Sequence, residues 1–360
     1  MRKCVPRLVS VSLAIFALSV LVYVACIRSY LAADFVNSTV SVAVRRALAN
    51  ATRCLPFSLF ELLVILSPLI LFLLVFFLVR RGTDTVHRVR GLMAILAVIC
   101  LVFTSYIYTL GIGYHTTPLE DRTGIEADED ITAQELLLTV NAVLDEINAI
   151  APSLTLTDGQ TCLSYSTDEL SAKLVDAYGA MLDTYPILTN FDSRVKPVHF
   201  STVMSDLGIM GIYSFFTGES NVNVEYPDYC LVFTSAHEMA HQRGISRENE
   251  ANFVAFLVAI SSEDEYIRYS GYLNLYEYLI SALYTLDPEL YYSVHSRLHG
   301  TARADIRASN AVYNEHKDSV LGRINERLND AYLKANGTDG VVSYGYVVRL
   351  AVGYYRAQGE

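Results

Sequence analysis

The residue types that could do chemistry in this chain are gathered between Phe233 and Phe253. His237, Glu238 and His241 stand in the spacing His-Glu-x-x-His. On a helix the two histidines fall one turn apart on the same face, so both imidazoles can reach one metal ion. Glu238 is rotated by about 100°, which aims it at a water on the ion rather than at the ion. A zinc held by three protein ligands keeps a position open for that water, as hydrolysis requires. The chemistry expected is hydrolysis by metal-activated water, with Glu238 as the proton-handling group.

Five residues can fall into this pattern by chance, and a helix whose histidines only satisfy neighbours would read the same way. The flanks weigh against that. Gly244 follows His241 by three residues, where a helix must end and turn sharply. A second helical stretch then opens at Glu248 and returns a carboxylate towards the histidines. Glu248 and Glu250 compete for the place of third ligand. They lie about 200° apart on a helix, so only one can face the metal.

The segment resembles zincin metallopeptidases of the gluzincin type, whose third ligand is a glutamate on a following helix, in several families within Glu-x-x-Ala-Asp or Glu-x-x-Ala-Asn. Glu248-Asn-Glu-Ala251-Asn252 matches that register, so the resemblance implies Glu248. Gly244 also sits as in the metzincin motif, but Arg247 stands where its third histidine would be, and that assignment fails. The match is confined to about residues 233–255. A broader similarity, over most of the chain, is to an uncharacterised bacterial family of membrane proteins with N-terminal spans and a HExxHQ-containing domain. The zincin resemblance implies a zincin-like fold, Zn2+ as cofactor and a peptide or protein as substrate; the broader one implies the same fold and no known substrate. They also imply a strand above the metal, which Gly211 to Asn223 could supply; an ordinary core strand would have the same composition. A side chain that steadies the oxyanion is expected too. Tyr344, flanked by glycine in Ser343-Tyr-Gly-Tyr346, is the first candidate, with His295 and His299 behind it. His199 and His316 read as structural.

The elements that must position these residues divide the chain in two. Leu8 to Ile27, Leu62 to Val79 and Leu92 to Tyr114 are uncharged, each about long enough to cross roughly 30 Å of hydrocarbon as a helix. The first could be read as a cleaved signal peptide, but it is long and lacks a clear small-x-small site. Arg2, Lys3 and Arg7 before the first span, and Arg80, Arg81, Arg88 and Arg90 between the second and third, place those segments in the cytoplasm. Arg45, Arg46 and Arg53 in the longer first loop argue the other way, less strongly. Glu61, at the start of the second span, reads as a residue at the interface with water.

Charge separates the two parts as well. Residues 1–113 hold 11 Lys and Arg against 3 Asp and Glu, leaving 16 against 35 for residues 114–360. A domain this acidic disfavours nucleic acid and an anionic bilayer as partners. The six cysteines show no paired Cys-x-x-Cys spacing, so a cysteine zinc site is not supported; Cys162 and Cys230 could pair if their compartment is oxidising.

The expected organisation is a membrane domain over 1–114 with three transmembrane helices, an acidic linker over 115–132, and a mostly helical α+β zincin-like domain over 133–360. Within the last, Ala133 to Ala151 and Asp168 to Thr184 carry helical periodicity, Val195 to Asn223 reads as short strands, and the rest is helical with breaks near Gly244, Pro288, Gly300 and Gly337–Gly340. The reading that follows is a multi-pass membrane-anchored zinc peptidase, its N-terminus cytoplasmic and its C-terminal domain outside. The rival reading is a non-catalytic receptor or scaffold that keeps a structural zinc. A transporter would need more spans and more buried charge.

Overall fold

A computed structural model describes residues 7–80, 85–336 and 344–359. It is mostly helical, with small sheets. The membrane-side elements are α1 (Arg7–Ile27), α2 (Tyr30–Val36), α3 (Val42–Arg53), α4 (Leu59–Arg80) and α5 (Thr85–Thr109). Helices α1, α4 and α5 each contain a stretch long and apolar enough to cross a membrane: Arg7–Ile27, Leu59–Phe76 and Arg88–Thr109. The third apolar run divides in two. The α-helix stops at Thr109, and Gly111–His115 form a 3-10 turn whose first four residues are buried.

The segment expected to be a linker is built into the domain. A short helix, α6 (Leu119–Thr123), puts Leu119 into the main core, and Ile125 follows it. Acidic composition hid this, because only two apolar residues of the segment, Leu119 and Ile125, are fully buried, with Ala127 and Ile131 packed partly against the core.

Next come α7 (Ala133–Ile150), a two-stranded ribbon of β1 (Leu156–Thr157) and β2 (Gln160–Thr161), and α8 (Thr167–Thr184). The α7 helix starts with a capping box, in which Thr132 and Glu135 satisfy each other's backbone amides. A three-stranded sheet is made of β3 (Val195–Val198), β4 (Gly211–Ser214) and β5 (Glu219–Asn223), with α9 (Ser201–Asp206) between the first two. The order is β3-β5-β4, with β3 parallel and β4 antiparallel to β5, so β4 lies at an edge. The remainder is α10 (Asp228–Arg243), α11 (Glu248–Ile260), α12 (Glu265–Leu286), α13 (Pro288–His295), α14 (Gly300–His316), α15 (Val320–Ala335) and α16 (Tyr344–Gln358). The break read near Gly337–Gly340 lies outside the described residues.

Helix α11 explains where the core sits. From Ala251 to Ala259 it is buried on every side, as expected of a helix that is apolar all round. It packs on α10, α12, α8 and α16, with α7 against α12 behind them. Cys162 and Cys230 are free thiols.

The loop between α1 and α4 also belongs to this body. Buried Arg45 on α3 donates to the carbonyls of Asn37, Tyr108 and Arg243. Buried Lys196 on β3 donates to the carbonyls of Thr52 and Leu55 at the end of α3. Glu219 on β5 accepts from the amides of Leu59 and Phe60 and so caps α4. Glu61 accepts from the Phe200 amide at 2.8 Å.

Candidate metal centre

Helix α10 ends as its sequence demands. Gly244 is left-handed, with φ of 103°. Its amide bonds His241 O, and the next amide, of Ile245, bonds Ala240 O: a Schellman closure. The turn is packed from outside, since a Cβ on Gly244 would run into the Arg45 guanidinium. Asn37 donates to the Gly244 carbonyl at 3.2 Å. The chain then reverses through Ile245, Ser246 and Arg247 into α11.

That reversal brings Glu248 onto the two histidines. His237 Nε2 and His241 Nε2 are 3.0 Å apart. Glu248 Oε2 lies 3.2 Å from the first and 3.4 Å from the second. Ligand atoms held about 2.0–2.1 Å from a tetrahedral zinc lie about 3.3 Å apart. The three atoms therefore fit one such ion with little adjustment, and they form a group able to hold a metal. His241 Nδ1 faces the Ile245 carbonyl at 2.7 Å; a proton there fixes the tautomer that leaves Nε2 free to ligate.

Glu250 is occupied elsewhere. It is buried, takes Arg247 Nη1 at 2.7 Å and Arg122 Nη2 at 3.3 Å, and accepts from the Leu119 amide. Its job is to tie α6 to the start of α11. Arg247, at the metzincin histidine position, uses its other nitrogen on the carbonyls of Tyr114 and Thr116.

Glu238 sits beside the triad without joining it. It is buried, and its Oε2 has no hydrogen-bond partner. Burial pushes its carboxyl up, and the two histidines only partly offset this. Edge strand β4 lies directly against it. A Cβ on Gly211 would stand 2.5 Å from Glu238 Oε1 and 2.5 Å from Thr234 Cγ2. Only glycine lets the strand approach so closely.

The electrostatics suit a cation. Burial alone would raise the Glu248 carboxyl, but His241 and His237 outweigh it and hold the group well below the usual range. Burial would lower His241; Glu248, Glu238 and the Ile245 carbonyl instead push it up to about 9. A proton shared in this pocket occupies the place that a metal would take.

The other sequence candidates lie elsewhere. His295 stacks on Tyr291 and meets Tyr276 OH at 3.2 Å. His299 caps α14 by accepting from the Thr301 amide. His199 is 3.4 Å from Glu61, and His316 is 2.8 Å from Asp206. Tyr344 is the first residue of α16, and its side chain lies outside the described residues. Sequence reasoning missed Tyr114. It is buried, its hydroxyl is 3.3 Å from that of Tyr332, and its phenol is pushed up first by burial and then by the Glu248 charge. It stands more than a hundred residues from the motif, where no spacing rule reaches.

A family model described as a protein of unknown function (DUF3810) matches residues 37–352. The match begins at Asn37, the residue that caps the Gly244 carbonyl, and so takes in α3 together with His237, His241 and Glu248. No curated protein and no solved structure matches the chain. The zincin resemblance thus rests on residues 233–255 alone.

Proposed function

The chain belongs to the DUF3810 family of proteins of unknown function, and we propose that it is a membrane-anchored, zinc-dependent peptidase. The observation that carries this reading is the separation of roles between Glu248 and Glu238. One carboxylate converges on both imidazoles. The other is buried alongside with a free oxygen and a raised pKa, as a general base and acid needs. A scaffold with a structural zinc has no use for that second group, and would close the ion with a fourth protein ligand. Among the described residues no further His, Cys, Asp or Glu joins the three.

In this reading His237, His241 and Glu248 hold the ion. Zinc bound there would polarise a carbonyl and acidify a water. Glu238 takes that water's proton at Oε2 and delivers it to the departing amine. Edge strand β4 offers main-chain groups to an extended peptide laid beside it.

In this reading the domain lies outside the cytoplasm. Arg2, Lys3 and Arg7 at the start of the chain, and Arg80, Arg81, Arg88 and Arg90 around the connection from α4 to α5, support this, and the contrary signal from the first loop loses its weight. Arg45 is buried under α10, Arg46 donates to Asn190 O, and Arg53 pairs with Asp192 at 2.9 Å. These cations are committed to the domain and travel with it.

Glu238→Gln tests the reading. Zinc content and melting temperature should stay near those of the parent, while cleavage of any peptide found in a library digest falls at least about a hundredfold. Full activity in this variant would remove Glu238 from the mechanism.

A further inference from the structure

Helix α15 has three faces where a surface helix has two. The first faces the protein: Asn325 donates to the Leu207 carbonyl at 3.0 Å, Asn336 just past the helix accepts from Tyr106 OH at 2.7 Å, and Leu333 is buried. The second carries the charges, Arg323, Glu326, Arg327, Asp330 and Lys334. The third is apolar and bare. Val320, Leu321, Ile324 and Leu328 are 62%, 46%, 51% and 65% exposed, and they share one stripe at helical spacing. A soluble protein would not leave such a stripe to water along one helix.

The attachments of α15 fix its level. Tyr106, which bonds its C-terminal end, lies in the last turn of the Arg88–Thr109 stretch. Its other end packs on α9. Phe200, immediately before α9, donates its amide to Glu61 in the first turn of α4. The helix therefore runs between the domain-side ends of two apolar helices, at the height where they would leave the hydrocarbon. Phe200 and Val203 are also exposed there, at 56% and 48%. Charge agrees: α15 carries three cations against two anions, within a domain of 16 against 35. It is the part of an acidic domain that lipid phosphates repel least.

We propose that α15 is an in-plane membrane helix, with Val320, Leu321, Ile324 and Leu328 inserted into the leaflet on the domain's side of the bilayer. Helices of this build bury their apolar face about 5–10 Å into the headgroup and acyl boundary. The partner is the lipid surface itself, and the assignment is independent of any catalytic role.

The chain contains no tryptophan, so one introduced indole reports alone. Full-length Leu328→Trp, Ile324→Trp and Glu326→Trp would be placed in nanodiscs of ordinary and of acyl-brominated phosphatidylcholine. The first two should emit at shorter wavelength and lose most of their fluorescence in brominated lipid. Glu326→Trp should emit as in water, be quenched by acrylamide and ignore the bromine. Acrylamide quenching of all three, with no effect of bromine, would put the stripe in water and overturn the proposal. Shielding of the Leu328 and Ile324 reporters from both quenchers would also overturn it, in favour of a second protein surface covering the stripe.

Discussion

The Ser246 hydroxyl donates to the Leu110 carbonyl at 2.6 Å, joining the loop between the candidate ligands His241 and Glu248 to the first residue beyond a membrane-length helix. Gly113 makes room for this, because a Cβ there would overlap Ser246. On the other side of the same loop, Arg45 and Asn37 cap the end of α10. The group of His237, His241 and Glu248 is thus suspended between the first loop and the end of α5, so the chain before residue 115 is part of the site's scaffold.

Replacing Arg45 should expose that dependence. Its guanidinium satisfies carbonyls at Asn37, Tyr108 and Arg243, together with Asn37 Oδ1. Arg45→Met keeps much of the volume but leaves those buried acceptors unpaired, at about 1–3 kcal/mol each. The melting temperature in detergent should drop by several degrees and zinc occupancy should fall with it, although Arg45 touches no ligand. Unchanged zinc occupancy in a destabilised variant would confine Arg45 to a purely architectural role.

Acid–base behaviour of the fold has its own handle in Glu277. This α12 carboxyl accepts from Tyr229 OH at 2.9 Å, and burial pushes it up to about 7. The folded chain therefore holds this proton more tightly than the unfolded chain does. Its stabilising contribution is complete below about pH 4.5 and is lost as pH rises through about 7, a change of roughly 3 kcal/mol. Glu277→Gln keeps an acceptor for Tyr229 and cannot ionise. Denaturant midpoints should show the parent losing stability relative to this variant between pH 5 and 7.5, by about that amount. Parallel curves would mean that Glu277 titrates near its ordinary value.

The sequence carried the local part of the site and little of the rest. His237, Glu238 and His241 are visible because a helix turns a spacing of four residues into one face, and Gly244 because a left-handed turn needs it. The helices α7 and α8 follow from helical periodicity. What could not be read is what crosses the chain. Arg45 appeared as a loop charge bearing on topology, and the carbonyls it satisfies include those of Tyr108 and Arg243, 63 and 198 residues away. Glu61 looked like an interface residue; its partner is the amide of Phe200. Residues 115–132 looked like a tether because composition averages over Leu119 and Ile125, the two that bury themselves. The choice between Glu248 and Glu250 depended on a register borrowed from a resemblance, whereas the structure gives Glu250 a physical reason to be elsewhere.

Those two glutamates should separate cleanly by experiment. Glu248 offers one oxygen to two imidazoles and keeps 41% of its side chain exposed, so removing it costs the fold little and the metal much. Glu248→Ala should lower zinc from about one ion per chain to a small fraction, with a melting temperature close to that of the metal-free parent. Glu250 is 1% exposed and neutralises Arg247 and Arg122. Breaking a buried pair strands the partner charges and costs about 3–5 kcal/mol. Glu250→Gln should therefore lower the melting temperature sharply while the surviving folded protein still takes up zinc at near-normal stoichiometry. Elemental analysis of the folded fraction, beside thermal unfolding with and without chelator, reads both axes at once. A Glu250→Gln protein that folds normally and holds no metal would reverse the two assignments, and would place the third ligand on the other face of α11.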